Sequence, residues 1–376
     1  MNKICEDNKC TGCGLCANIC PVNAISLELN NEGFYIPNIN NDKCINCLLC
    51  EKKCKELNVK NYPITAYKAK SINKEVLINS TSGGIFSELA KKIIIDGGVV
   101  FGAVFSENQS VKHVEIDTID KISAARGSKY IGSRVGLIYK RIKELLKQNK
   151  KVLFTGTSCQ CAAVKKFCYG INDNNLYLCD FVCHGVASEK VFKMYLDDIE
   201  KRQNSKIEQI YFRCKDFGYE LPQFKVVLKN KNIIYPSYES SFGYAFASGM
   251  INRKSCSLCE FATLERVSDI SICDLKYDID DIDKKEGISL CLINSSKMLS
   301  MFNEIEVNKE VVSIDFCVKA QMHLSKPTAE HFYRKKIFKK IHKISYDKLS
   351  RKYMIKPKNN LINKIKYKLW ALKRSK

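Results

Sequence analysis

The sequence has no run of apolar residues near the ~18–20 needed to span a bilayer as a helix, so a membrane-spanning protein is not expected. Its opening residues lack the charged-then-apolar pattern of a secretory signal, and a soluble protein of the reducing cytoplasm is expected. There is no base-reading motif, which sets nucleic acid aside as a partner. Nor does any low-complexity linker interrupt residues 60 to 325, which read as one compact unit of one or two lobes.

A formal charge of +22 over 376 residues suggests a polyanion binder until it is divided along the chain. Residues 331 to 376 hold seventeen Lys and Arg against one acid, Asp347, whereas the preceding residues hold 45 basic and 39 acidic side chains. The excess belongs to the tail. There Ile337, Ile341 and Ile344, then Ile362, Ile365, Leu369 and Leu372, fall at helical spacing among lysines, with Tyr367 and Trp370 beside them. Such a basic amphipathic helix fits an anionic membrane surface, at the inner face of the membrane, or an acidic partner; a helix laid on the body is the competing reading.

What the chain has in excess is cysteine, twenty in all. Eight fall into two copies of C-x2-C-x2-C-x3-C: Cys10, Cys13, Cys16 and Cys20, then Cys44, Cys47, Cys50 and Cys54. This is the ligand pattern of bacterial two-cluster ferredoxins, in which the fourth cysteine of each run ligates the other 4Fe-4S cluster. A zinc site has no use for a third cysteine at a further x2 step, and cysteines three apart in a tight loop cannot reach disulfide geometry without strain. Residues beyond the ligands also align between the copies, the mark of an internal duplication. Pro21 follows the first run, Lys55 the second. Electron transfer is the expected chemistry. Each cluster with its thiolates carries about −2, so three would cancel the body's small positive excess.

Behind this head the pattern becomes α/β. Ile85 to Asp96 is apolar at helical spacing and stops at Gly97-Gly98; Val99 to Phe105 reads as a buried strand with Val111 to Ile116 as its neighbour; Arg134 to Gln148 reads as a helix. Lys151 to Phe154, a helix over Cys161 to Phe167 and a strand over Leu176 to Val182 make a βαβ unit with a parallel pair. Ile207 to Phe212, Phe224 to Leu228 and Ile233 to Tyr235 read as short antiparallel strands. A helix near Tyr238 to Met250, strands at Ile270 to Cys273 and Ser289 to Ile293, and a helix at Ser296 to Ile305 follow.

Of the other twelve cysteines, Cys159 and Cys183 close adjacent parallel strands, and Cys256 and Cys259 form a C-x2-C. They are either buried thiols or the four ligands of a third cluster. Cys5, Cys161, Cys168, Cys179, Cys214, Cys273, Cys291 and Cys317 have no such spacing and read as structural thiols.

Six segments in order, SGGIFSELA (Ser82 to Ala90), GGVVFGAVF (Gly97 to Phe105), RGSKYIGS (Arg126 to Ser133), KVLFTGTSCQ (Lys151 to Gln160), DFVCHGVAS (Asp180 to Ser188) and SCSLCEFA (Ser255 to Ala262), resemble the beta subunit of coenzyme F-420 hydrogenases and dehydrogenases. The resemblance runs over about residues 64 to 315, and many members carry the same two-cluster head. It implies an α/β (α+β overall) architecture: a bacterial-ferredoxin-like domain over residues 1–60, a mixed α/β flavin and iron-sulfur domain over 61–145 and 146–328, and the tail over 329–376. It further implies a third 4Fe-4S cluster on Cys159, Cys183, Cys256 and Cys259. FAD is implied against Ser82, Gly83 and Gly84 and against Arg126, Gly127, Ser128, Lys129, Tyr130 and Ser133. Glycines ahead of a helix let backbone N–H groups approach a pyrophosphate, and Arg126 and Lys129 can neutralise it; helix capping is the plain alternative. The sequence departs from the family at Cys273-Asp274-Leu275-Lys276-Tyr277, where Gly-Asp-Phe-Trp-Gly is usual, and at Ser158, where proline is usual.

The expectation is therefore an iron-sulfur flavoprotein oxidoreductase, cytoplasmic, passing electrons between FAD and the clusters. Its partners are a small-molecule oxidant or reductant on one side and ferredoxin or a redox subunit on the other. Coenzyme F-420 is the substrate the family name suggests, although some members are associated with polysaccharide biosynthesis. The alternative is a non-catalytic subunit that wires a partner enzyme to ferredoxin. No general acid or base stands out; His184, beside a cysteine ligand, reads as a core histidine or a proton relay.

Overall fold

The computed structural model describes residues 3–55, 61–237 and 239–354. At the amino end, β1 (Ile25–Leu29) and β2 (Tyr35–Ile39) pair antiparallel, flanked by two short helices, Leu15–Ile19 and Leu49–Cys54. The duplication is visible in the backbone. Each helix opens after a left-handed residue at the same place in its copy, Gly14 (φ 83°) and Leu48 (φ 57°). Gly14 has a further reason to be glycine: a Cβ there would lie 2.3 Å from Val135 Cγ2 in the body. Leu48 is exposed, so its side chain meets no such wall.

The body is built on a nine-stranded sheet. Its strands are β3 (Thr65–Ser71), β4 (Val99–Phe105), β5 (Val111–Ile116), β6 (Ser133–Arg134), β7 (Val152–Thr157), β8 (Leu176–Phe181), β12 (Ile270–Asp274), β13 (Ser289–Ile293) and β14 (Val307–Val312). A separate antiparallel sheet holds β9 (Ile207–Cys214), β10 (Gln223–Leu228) and β11 (Asn232–Pro236). The large sheet runs β14-β3-β13-β12-β8-β7-β4-β5-β6; its central four strands, β12, β8, β7 and β4, are parallel. Parallel strands must be covered on both faces, and they are. Ile85–Ile95 and Ser296–Glu304 cover one face through Leu89, Ile93, Met298 and Phe302. Ile138–Lys147 and Ser158–Phe167 cover the other through Tyr139, Ile142, Cys161 and Val164, and Cys13 and Leu15 of the head join that core. The head is thus packed into the body.

The fold class and the parallel β7/β8 pair agree with the sequence reading. The expected helix near Tyr238 to Met250 is confined to Ser241–Ala247. Among the described residues no helix is long and apolar enough to cross a membrane.

Part of the segment read as a basic tail is built into the body. Ile337 and Ile341 are buried with Leu349 and Tyr353 in the core beneath helix Glu189–Gln203 and the smaller sheet, because burying that apolar stripe outweighs solvating it. Ile362, Ile365, Leu369 and Leu372, with Tyr367 and Trp370, lie outside the described residues. Truncating the fully buried Leu349 to alanine should cost about 2–5 kcal/mol and lower the melting temperature by several degrees. Lys335→Ala, at an exposed position of the same segment, should leave the melt unchanged; equal effects would contradict this packing.

Candidate metal centres

The head gathers its eight thiols into two crossed sets. One apolar-walled cavity is lined by Cys44, Cys47 and Cys50 of the second run together with Cys20, the fourth cysteine of the first. On the other side Cys5 hydrogen-bonds both Cys10 and Cys54, bringing the second run's fourth cysteine beside the first run's ligands. Cys10 and Cys13 also raise the Cys16 thiol, after burial as the main cause. Cys5, read from the sequence as a spectator, therefore stands against the first site.

Cys159, Cys183, Cys256 and Cys259 come from three places but face one another. The first two leave the carboxyl ends of β7 and β8, and the others sit in and just after the 3-10 turn Lys254–Leu258. Burial, and then the neighbouring Cys256, Cys159 and Cys259, hold the Cys183 thiol well above its ordinary range. Burial pushes Cys256 up to about 12 and Cys259 up to about 11. Among the described residues no three His, Cys, Asp or Glu side chains meet closely enough to hold a metal ion.

Whether these thiols suit an iron-sulfur core is tested by what else points at them. Sulfurs of iron-sulfur sites accept backbone hydrogen bonds that stabilise the thiolate and tune potential. Here the amide of Ala24 donates to Cys20 Sγ at 3.2 Å and that of Gly185 to Cys183 Sγ at 3.3 Å. Amides of Gly12, Leu15 and Ala17 favour the thiolates of Cys10, Cys13 and Cys16, and those of Phe261 and Ala262 favour Cys259. Buried thiols with amides aimed at them fit a cationic iron core, which inverts the cost of ionising them.

What holds the third set together was not legible in the sequence. Arg266, 1% exposed, pairs with Asp180, 0% exposed, at 2.9 Å, and also donates to Ser158 Oγ, Ser271 Oγ and the carbonyls of Phe261 and Thr263. It ties the Cys259 loop to the end of β8 and to the residue before Cys159. A separation of 86 residues left no local signal. Gly185 adds a steric condition: its φ is 108°, and a Cβ would stand 3.1 Å from Cys256 Cβ.

The residues read as flavin contacts fall into two adjoining loops. The backbone N–H and Oγ of Ser128 reach Thr81 Oγ1 at 3.0 and 3.3 Å, joining the 126–130 loop to the turn before helix Ile85–Ile95. Ser82 Oγ meets Ser289 Oγ, and the Gly83 N–H donates to the same hydroxyl; a Cβ at Gly83 would sit 2.2 Å from Ala69 O. Gly84, at φ 81°, caps the helix. Arg126 pairs with Glu75 at 2.7 Å and donates to Ser87 Oγ. Lys129 turns its ammonium onto the carbonyls of Ala125 and Arg126, and burial pulls its pKa down to about 7. Tyr130 stacks on Phe246, Gly127 has open space beside it, and Ser133 Oγ accepts from Gln160 Nε2. The His184 ring packs on that of His323 at 4.0 Å.

A ferredoxin-type head packed into an α/β body, with its thiols gathered in two sets, defines an iron-sulfur protein of the oxidoreductase class. Residues 9–57 match the 4Fe-4S dicluster domain, and residues 149–316 match the C terminus of the coenzyme F420 hydrogenase/dehydrogenase beta subunit. The chain is similar to the F-subunit of the F(420)H(2) dehydrogenase of Methanosarcina mazei, 20% identical over 224 residues, covering 54% of this chain and 64% of that one. It is also similar to the iron-sulfur A-subunit of the CoB--CoM heterodisulfide reductase of Methanocaldococcus jannaschii, 40% identical over 62 residues, which are 13% of this chain and 9% of that one. The chain thus spans less than two thirds of the length of these relatives. A solved chain of the F420-reducing NiFe hydrogenase complex from Methanosarcina barkeri aligns at 19% identity and a TM-score of 0.47, over 74% of this chain and 93% of that one.

Asp180→Ala should leave the Arg266 guanidinium buried and unpaired, at a cost of about 3–5 kcal/mol. The expected result is a lower melting temperature with the head's iron retained. An unchanged melt would show that the pair does not hold the Cys256/Cys259 loop.

Proposed function

We propose that the chain is an iron-sulfur flavoprotein oxidoreductase that passes electrons between FAD and 4Fe-4S clusters, exchanging hydride with a small redox partner and single electrons with ferredoxin or a redox subunit. The observation that carries this reading is the adjacency of two thiol sets: Cys159 is close enough to Cys13 to raise its pKa, second only to burial. Bound FAD would supply conversion between two-electron hydride chemistry and one-electron cluster chemistry. The chain's share is to hold the clusters in line, to bring backbone N–H groups to their sulfurs, and to place the 126–130 loop beside the turn at Ser82. Coenzyme F-420, which the names of the matching family and relatives carry, is the proposed hydride partner.

A second reading, an electron-transfer subunit without flavin, draws on the same loops. The Gly83 N–H is already bonded to Ser289, and Lys129 and Arg126 already have partners. Anaerobic purification with iron, sulfide and flavin measured on one sample separates the two: about twelve iron atoms and one FAD per chain support the first, about twelve and none the second. About eight iron atoms and no flavin would sink both as far as the third cluster is concerned.

Lys129 provides a finer test. Its pKa of about 7 means that it is neutral above that pH, whereas an anionic pyrophosphate binds the charged form. FAD affinity should therefore be strongest below pH 7 and weaken by up to about tenfold per pH unit above it, until the pKa of the bound state is reached. Lys129→Met should give weak, pH-independent binding by fluorescence titration. A flat profile in the parent would remove Lys129 from the site.

A further inference from the structure

Arg253 occupies the seam between head and body. It belongs to the body, where its N–H donates to Val186 O and its carbonyl accepts from the Cys256 N–H. Its side chain crosses to the head. One terminal nitrogen donates to Cys10 O at 3.2 Å, the other donates to Tyr35 O at 2.9 Å, and the guanidinium lies 5.1 Å from the centre of the Phe34 ring. A Cβ at Gly12 would stand 2.7 Å from its nitrogen, so the loop of the first cysteine run is moulded around it.

Arg253 is 6% exposed, and its Nε is buried without a hydrogen-bond partner. Among the described residues it forms no ion pair with any carboxylate, unlike Arg266 or Arg334. An arginine in such a place needs a counter-charge, since a desolvated cation bonded only to carbonyls is costly. Three thiols feel it: its charge favours the thiolates of Cys10 on the head side and of Cys159 and Cys256 on the body side. A second group spans the same seam. The Thr11 hydroxyl hydrogen-bonds both Cys13 and Cys159, one thiol from each set.

We infer that Arg253 is the shared counter-cation of two clusters, the one held by Cys10, Cys13, Cys16 and Cys54 and the one held by Cys159, Cys183, Cys256 and Cys259. With its thiolates each carries about −2, and each electron accepted adds one negative charge. Arg253 therefore stabilises the reduced form of both and raises both potentials, while the single O–H of Thr11 lies within reach of a sulfur of each and donates to one at a time. The cluster on Cys20, Cys44, Cys47 and Cys50 lies outside this arrangement. Arg253 acts through the clusters and is a positioning residue. The inference rests on the third-cluster part of the proposed function.

The test is a potentiometric titration of the full chain, followed by electron paramagnetic resonance, with iron counted on the same sample. Arg253→Gln keeps hydrogen-bonding capacity and removes the charge. It should move two of three reduction steps together to more negative potential and leave the third in place. Arg253→Lys should restore much of the shift, which a merely structural role would not. Thr11→Val, which leaves the guanidinium untouched, should move at least one of the same two steps in the same direction and leave the third in place, and it guards against misfolding of the arginine variants. In Arg253→Gln, unmoved steps, or one or all three moved, would overturn the shared role. About eight iron atoms in the parent would overturn it together with the third cluster, whereas about twelve with unmoved steps overturns this inference alone.

Discussion

The ion pair between Arg266 and Asp180 is the constraint on which the third thiol set depends. Both side chains are almost wholly out of water, so their attraction must compete with a large desolvation cost. The cost is met by using the whole guanidinium fork: Nε bonds Ser271, and the terminal nitrogens bond Ser158, Asp180 and the carbonyls of Phe261 and Thr263. An apolar pair of similar volume would fill the space but would leave two loop carbonyls without donors. Arginine's several donors let one side chain fix β8, β12, the start of helix Ser158–Phe167 and the Cys259 loop.

Charge follows the same logic at the thiols. Burial alone drives cysteines toward the neutral form, and most of these follow it. Opposing it are backbone amides aimed at sulfur and, at the seam, Arg253 and Thr11. These donors have little purpose beside a neutral thiol and much beside a thiolate. Cys161, Cys179 and Cys291 provide the contrast. They are just as buried, in apolar cores, and no amide is directed at their sulfurs among the causes acting on them.

This contrast explains what the sequence made legible. The eight head cysteines could be read because their spacing is local, set by one tight loop and one helical turn in each copy. The centre of the sheet could be read because β7, β8 and β13 contain the apolar runs Val152-Leu153-Phe154, Leu176-Tyr177-Leu178-Cys179 and Leu290-Cys291-Leu292-Ile293 that a parallel or central strand demands. The outer strands gave less. β14 is an edge strand reading Val-Asn-Lys-Glu-Val-Val with mostly exposed residues, and β3 mixes lysines into its alternation. Hydrophobic period cannot mark a strand that buries little. Arg266 and Arg253 were illegible for another reason: their partners lie far away in sequence, and an arginine on its own looks like surface. The tail showed the opposite limit. The spacing of Ile337 and Ile341 correctly marked an apolar stripe, but a stripe does not name what covers it.

The docking of the head decides between a fixed wire and a swinging shuttle. Asn18 Nδ2 donates to Gly136 O at 2.8 Å, the Tyr139 hydroxyl donates to Cys13 O, and Ser255 Oγ donates to Cys10 O at 2.8 Å. Ser188 Oγ bonds Glu32 O, and Arg334 pairs with Glu32. These contacts lie on different elements of the body, and the Cys13 and Tyr139 pair is buried. Releasing the head would expose Leu15 and Cys13 and strand several buried donors and acceptors at once. The spacing of Cys13 and Cys159 across the seam is thus fixed, and in the head the set of Cys20, Cys44, Cys47 and Cys50 reaches the surface through the exposed Cys47.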